Sequence, residues 1–157
     1  MIYRLIFFTL LLTSTSSVFS QSNTFSQLKN KIHEKYPDLS LEDHIIAVNY
    51  WTVDDEQSRK NSVAFEKTVK VYHGAILKGG REGMIVISIN GDNLNPEATI
   101  VLNKENIKLS FPFTAEETAN IIPGKWCNVV YDSRGIELYR NLQDTQVFPS
   151  ILNLVTR

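Results

Sequence analysis

Residues 44–51 read HIIAVNYW, an unbroken apolar run that is rich in β-branched and aromatic side chains. Such a run is typical of a strand buried on both faces, which occurs in parallel or mixed sheets. The acidic triplet at residues 54–56 follows and opens a predicted helix that reaches about Tyr72, with Phe65 and Val69 on one stripe. A buried strand that leads directly into a long helix favours an α/β fold.

Strands and helices are predicted to alternate along the rest of the chain. The further predicted strands are Met84–Asn90, Ile107–Phe111, Cys127–Tyr131 and Ile136–Tyr139. The further predicted helices comprise a run with Phe25, Leu28, Ile32 and Tyr36 that ends at Pro37, Asn95–Asn103, a short helix from Thr114, and Ser150–Val155. A tight turn at residues 132–135 would join the last two strands as a hairpin. This order predicts a central mixed sheet with helices on both faces and a closing β-hairpin.

The composition excludes several classes of protein. The chain has 157 residues, of which 43% are hydrophobic and 21% charged, as is typical of a single folded domain. The 16 basic residues are balanced by 17 acidic ones, so no cationic surface for nucleic acid is expected. Cys127 is the one cysteine, and it can neither close a disulfide within the chain nor build a cysteine-rich zinc site.

The N-terminal residues have the pattern of a secretory signal. Arg4 is their only charge, an apolar run follows at residues 5–12, and a Thr- and Ser-rich stretch ends at Ser20. Because the apolar run is much shorter than the ~20 residues of a spanning helix, we expect cleavage after Ser20 rather than a membrane anchor. No later segment is expected to span a membrane, and the protein would be secreted or periplasmic. The predicted organisation is a signal peptide at 1–20, a helical extension at 21–38 and a folded domain at 39–157.

The segment Val48-Asn49-Tyr50-Trp51 resembles the strand that leads into the active site of thioredoxin-like proteins. It is most similar to the exported thiol-disulfide oxidoreductases of the TlpA and ResA type, in which Asn-Phe-Trp-Ala precedes Cys-x-x-Cys-Arg at the start of a long helix. Arg59 falls at the arginine of that pattern. Residues 85–90, 106–112 and 129–135 resemble the family's next strand, its Phe-Pro stretch and its closing hairpin. The resemblance covers about residues 39–141 and implies a thioredoxin-like fold.

The chain departs from this family where the family does its chemistry. Asp55 and Ser58 stand at the two cysteine positions, and neither side chain can take part in disulfide exchange. The slot of the family's cis-proline falls on Trp126, with Pro123 three residues earlier. The resemblance therefore implies a domain that keeps the scaffold without the dithiol chemistry and needs no cofactor. We expect it to bind a protein or an extended peptide through the surface around Trp51, Asp55, Ser58 and Trp126.

Other interpretations of these residues stay open. Trp51 and Trp126 could form an apolar platform for a peptide or could equally be ordinary core residues. Cys127, beside the cis-proline slot, could serve a single-thiol oxidoreductase or a peroxidase-like enzyme, although a small buried residue at a strand start is favoured.

A metal site at Asp54-Asp55-Glu56 is a further alternative, but acidic residues stabilise a helix N-terminus without a metal, and we favour that role. The three histidines, His33, His44 and His73, have no spacing that places two of them on one helical turn. Ser58 has no evident catalytic base in the sequence, so a catalytic triad is not expected.

Overall fold

The structure is a computed structural model that describes residues 24–119, 121 and 127–156. The predicted signal peptide, Pro123 and Trp126 lie outside these residues. The chain divides into two compact units, Met1–Leu39 and Ser40–Arg157. In the first unit, helix α1 comprises residues 24–35, and the backbone N–H of Tyr36 donates to the carbonyl of Ile32 at 2.8 Å. The predicted helix that ends before Pro37 is thus confirmed.

The second unit holds a five-stranded sheet. Its strands are β1 (Ile45–Trp51), β2 (Met84–Asn90), β3 (Phe111–Thr114), β4 (Asn128–Tyr131) and β5 (Glu137–Arg140), in the order β3-β2-β1-β4-β5. Strand β2 is parallel to both β1 and β3, whereas β4 is antiparallel to both β1 and β5. The predicted mixed sheet is therefore confirmed, with the apolar run of residues 45–51 as its central strand.

Four helices in the described part of the second unit connect or follow these strands. They are α2 (Glu56–Tyr72), α3 (Pro96–Lys104), α4 (Ala115–Thr118) and α5 (Asp144–Leu152). Helix α3 begins as predicted, because Asn95 Oδ1 accepts the backbone N–H of Ala98 and Pro96 takes the first helical position. Helix α4 begins with a capping box between Thr114 and Glu117.

The apolar core lies between the sheet and the helices α2 and α5. Side chains of alternate strand residues point to the same face of a sheet, so Ile45 and Ala47 of β1 share a face. Phe65 and Val69 of α2 and Val147 of α5 are buried in the same cluster. Burial of apolar area at about 25 cal/mol per Å² makes this cluster the main source of stability of the unit.

Towards the N-terminus of α2 the same face of the sheet becomes polar. Asn49, Ser88 and Asn128 continue the inward-facing positions of β1, β2 and β4, and Ser58 and Ser62 face them from α2. We call these five residues the polar layer. Each of them is at most 4% exposed, so their hydrogen bonds are made within the protein rather than with bulk solvent.

The predicted strand Ile107–Phe111 is misplaced, because the observed strand β3 begins at Phe111 and includes Pro112. The backbone N–H groups of Lys108 and Leu109 donate to the Glu66 carboxylate, both at 2.7 Å, instead of to a neighbouring strand. Proline is tolerated in β3 because this strand lies at the edge of the sheet.

The last helix is also misplaced in the prediction Ser150–Val155, because α5 spans Asp144–Leu152 and contains Pro149. Val147 and Ile151, one helical turn apart, are both buried in the core, and this packing outweighs the loss of one backbone donor at the proline. Beyond the helix, Val155 forms an isolated bridge with Leu77.

The closing hairpin forms as predicted, with small shifts of its strands. Asp132 Oδ1 accepts the backbone N–H groups of Arg134 and Ile136, and Gly135 has a positive φ of 85°. Strand β4 begins one residue later than expected, at Asn128, and a bulge displaces β5 to Glu137–Arg140.

Candidate functional site

Two of the predicted site residues meet at the N-terminus of α2. Asp55 is the N-cap, and its Oδ1 accepts the backbone N–H groups of Gln57 and Ser58 at 3.0 and 3.2 Å. Ser58 Oγ donates to the carbonyl of Asp55 at 2.8 Å and accepts the N–H of Thr52 at 3.2 Å. Both side chains are thus engaged in starting the helix, as the favoured interpretation of the acidic triplet expects.

In the loop between β1 and α2, charged side chains bind both backbone polar groups of Val53. Its N–H donates to Asp92 Oδ2 at 2.6 Å, and its carbonyl accepts from the guanidinium of Arg59. Asn90 supports the same corner, because its Oδ1 accepts the backbone N–H groups of Asp92 and Leu94. These bonds fix the backbone that presents the exposed Asp54 and Asp55 side chains.

Sequence reasoning missed Asn90 and Asp92 as parts of this corner. The signal was present, because Asn90 ends strand β2 and the carboxyl ends of adjacent parallel strands meet at one edge of a sheet. Polar residues just beyond β2 therefore had to lie near the loop that follows β1. Gly91 completes the corner: its N–H donates to the carbonyl of Trp51 at 2.8 Å, and a Cβ there would collide with Tyr50 Oη.

The indole of Trp51 is 1% exposed, and its Nε1 donates to Ser88 Oγ at 2.9 Å. In this structure the side chain is therefore a core residue beneath the loop, and its direct contact with a peptide stays a hypothesis. Because Trp126 lies outside the described residues, a platform made by both tryptophans also stays a prediction.

Cys127 is exposed, which contradicts the favoured prediction of a small buried core residue. The physical reason is that β4 begins one residue later, so Cys127 precedes the strand rather than opening it. Its backbone is nevertheless fixed: the carbonyl accepts the N–H of Tyr50 at 2.9 Å, and the N–H donates to Asn141 Oδ1 at 3.3 Å. The backbone of Cys127 thus lies beside the carboxyl end of β1.

Two carboxylates of the acidic triplet, those of Asp55 and Glu56, have protein partners. Besides the cap made by Asp55, Glu56 pairs with Lys60 at 2.7 Å, and this hydrogen bond lowers the pKa of Glu56 and raises that of Lys60. Within the described residues, no group of three His, Cys, Asp or Glu side chains could hold a metal ion. His44 Nδ1 lies 2.9 Å from the Glu42 carbonyl and 3.6 Å from Glu82 Oε2.

A groove of about 740 Å³ runs beside this site, between α2 and α5. Gln57 Nε2 links the two helices by donating to Asp144 Oδ1 at 3.0 Å. The lining mixes cations, carboxylates and apolar groups, including Arg59, Lys60, Lys67, Glu105, Asp144 and Phe148. Because both signs of charge are present, the groove has no electrostatic preference for one sign of ligand.

No helix within the described part of the chain has the length and apolar character needed to cross a bilayer.

Solved structures resemble this chain, although no family model and no curated protein matches its sequence. The thioredoxin domain of a thiol-disulfide oxidoreductase from Bacteroides vulgatus superposes with a TM-score of 0.58 and 11% identity, covering 74% of this chain and 82% of that one. A thioredoxin-family thiol:disulfide interchange protein from Chlorobium tepidum gives a TM-score of 0.55 and 12% identity, covering 74% and 83%.

A secreted disulfide oxidoreductase from Mycobacterium tuberculosis is similar as well, with a TM-score of 0.54 and 10% identity, covering 73% of this chain and 84% of that one. Identities this low carry information about the fold only. The predicted fold class is confirmed: the chain has a thioredoxin-like fold, in which Asp55 and Ser58 occupy the start of the helix that follows the central strand.

Proposed function

We propose that this protein is an exported thioredoxin-like domain that lacks dithiol redox chemistry and binds a protein or an extended peptide. The observation that carries the proposal is that Asp55 and Ser58, whose side chains bear oxygen rather than sulfur, lie at the N-terminus of α2. Disulfide exchange requires one thiolate that attacks and a second sulfur that resolves the mixed disulfide. The 157-residue chain has a single cysteine, Cys127, which lies outside that helix.

The proposed binding surface is the exposed loop at the start of α2 with Trp51, Asp55 and Ser58, and with Trp126 as the resemblance implies. Hydrogen bonds to Asp92 and Arg59 hold the loop, so little conformational entropy would be lost when a partner binds. The buried Trp51 would support the loop from beneath, while the Asp55 carboxylate faces solvent.

A capture experiment tests the binding role. Extracts of the native host would be passed over the immobilised protein and over two variants, Asp54→Lys and Asp55→Asn; asparagine keeps a capping oxygen and removes the charge. Glu82→Lys is the matched control, because Glu82 is exposed and precedes β2 at the opposite end of the sheet from α2's N-terminus. We expect a partner that the unaltered protein and Glu82→Lys both retain and that the two site variants fail to retain. Equal retention by all variants would remove the loop as the binding surface.

The redox part of the proposal has a separate test. In an insulin-reduction assay, the protein is expected to add no turnover to the rate given by the small-molecule reductant alone. Turnover that disappears in Cys127→Ser would instead establish a single-thiol enzyme. Export is tested by fractionating the host and sequencing the mature N-terminus, which is expected to begin at Gln21.

The single-thiol oxidoreductase is a second candidate function, because Cys127 is exposed and beside the carboxyl end of β1. A native-state titration with a thiol reagent distinguishes the two functions. Rapid modification together with reductase or peroxidase turnover favours the enzyme. A thiol that reacts no faster than free cysteine, without turnover, supports the binding role.

A further inference from the structure

Among the described residues, the amide oxygen of Asn49 is the one buried side-chain polar atom that has no hydrogen-bond partner. Asn49 is 1% exposed, and its Nδ2 donates to Ser62 Oγ at 2.8 Å. Its Oδ1 is fully buried and has no hydrogen-bond partner among the described residues. A buried carbonyl without a donor costs roughly 1–3 kcal/mol, so such atoms are nearly always satisfied by protein or by an ordered water.

The hydroxyl of Ser88 is the neighbouring group with a proton to give. Asn49 and Ser88 are Cα partners in the parallel ladder of β1 and β2, so their side chains lie side by side on the face that α2 covers. Ser88 Oγ accepts the indole N–H of Trp51, and a hydroxyl that accepts one bond keeps its own proton for donation. The two side chains make no direct hydrogen bond with each other.

The other members of the polar layer are occupied. Ser62 Oγ donates to the carbonyl of Ser58 at 3.2 Å, and Ser58 Oγ donates to that of Asp55. Asn128 uses both ends of its amide on the backbone of Leu142, each at 2.8 Å. None of these groups donates to Asn49 Oδ1.

We propose that a buried water molecule bridges Ser88 and Asn49 beneath the N-terminal half of α2. The water accepts a hydrogen bond from the Ser88 hydroxyl and donates one to Asn49 Oδ1. Buried waters characteristically satisfy polar atoms that the fold leaves unpaired, and they form part of the structure. This water would join Trp51 and Ser88 to Asn49, Ser62 and the α2 cap in one hydrogen-bond network. The inference is independent of the proposed binding role.

Crystallography of the intact protein at a resolution that shows ordered waters tests the site directly. The expected result is a water oxygen within about 2.6–3.2 Å of both Asn49 Oδ1 and Ser88 Oγ. A protein donor on Asn49 Oδ1, with no water density between the two side chains, would overturn the proposal.

Oxygen-17 magnetic relaxation dispersion supplies a second readout in solution, because its amplitude reports long-lived buried waters. Asn49→Leu and Ser88→Ala are each expected to lose the amplitude of a single water relative to the unaltered protein. Ser88→Thr, which keeps the hydroxyl, is the matched control and is expected to retain that amplitude. An amplitude unchanged in Asn49→Leu would contradict the bridge. If the variants fail to fold, the crystallographic result on the unaltered protein decides.

Discussion

The carboxylate of Asp92 accepts the backbone N–H of Val53 at 2.6 Å and so ties the end of β2 to the loop that precedes α2. The two residues are 39 positions apart in the chain, yet this bond fixes the loop that carries Asp54 and Asp55. The candidate site therefore depends on the pairing of β1 with β2 as much as on its own segment.

Removal of the Asp92 carboxylate should loosen this loop. Asp92→Ala leaves the Val53 N–H without its acceptor, and we expect a loss of about 1–2 kcal/mol in the free energy of unfolding. Hydrogen exchange at the Val53 amide should accelerate more than exchange at amides of β1. Asp92→Asn keeps one acceptor oxygen and should lose less; equal losses in both variants would contradict the role of this bond.

Glu66 should hold the segment before β3 in place. Its carboxylate accepts the N–H groups of Lys108 and Leu109 and, at 3.0 Å, the hydroxyl of Ser110. Glu66→Ala is expected to lower the free energy of unfolding by about 2 kcal/mol, because bonds to a charged acceptor are stronger than neutral ones. Denaturant unfolding measures this loss. Ser110→Ala, which removes one of the three donors, should cost less, and a Glu66→Ala protein of unchanged stability would refute the prediction.

Asp55 should stabilise α2 as its N-cap. Asp55→Ala removes the acceptor for two backbone N–H groups and should cost about 1 kcal/mol, whereas Asp55→Asn should cost only a few tenths. Glu56→Gln is a suitable comparison, because the exposed pair of Glu56 and Lys60 should contribute little. Thermal and urea unfolding of the three variants provide the measurement; the hypothesis fails if alanine and asparagine behave alike.

Two cysteines at the N-terminus of α2 should give the protein dithiol redox activity. The double variant Asp55→Cys/Ser58→Cys places two thiols at the N-terminus of α2, where the helix dipole favours a thiolate. We expect insulin reduction by the double variant above the rate of the unaltered protein. Each single variant, combined with Cys127→Ser, lacks a resolving partner and serves as control. Absence of a disulfide between the two introduced cysteines under oxidising conditions would show that positions 55 and 58 are not spaced as the resemblance implies.

Tyr131 should make the protein less stable in alkali. Burial, followed by the charge of Glu137, raises the pKa of Tyr131 above its ordinary value of 10.0. A phenol whose pKa is raised by folding contributes stability that is present below the unfolded pKa and lost as pH rises through the folded pKa. The urea concentration at the unfolding midpoint should therefore decrease as the pH rises above about 10. Tyr131→Phe should show a smaller fall over the same range, and an identical pH profile for both proteins would count against the prediction.

Local sequence signals located most of the fold. The strands Ile45–Trp51 and Met84–Asn90 follow from unbroken apolar runs, and the start of α3 follows from Asn95 and Pro96. The predictions failed where a distant side chain intervenes: Glu66 takes the backbone bonds of residues 108 and 109, and core packing carries α5 across Pro149. In both cases the sequence of the affected segment gives no indication of the distant contact.

The sequence by itself determined the buried central strand, the capped helix after it and the presence of oxygen rather than sulfur at positions 55 and 58, because these depend on side-chain chemistry and short spacings. Only the tertiary structure decided that Cys127 is exposed, that Asp92 and Arg59 hold Val53, and that Asn49 Oδ1 is buried without a hydrogen-bond partner in the described part of the chain. These features arise where the ends of several strands and one helix converge, and burial and hydrogen-bond geometry there are set by residues far apart in the chain.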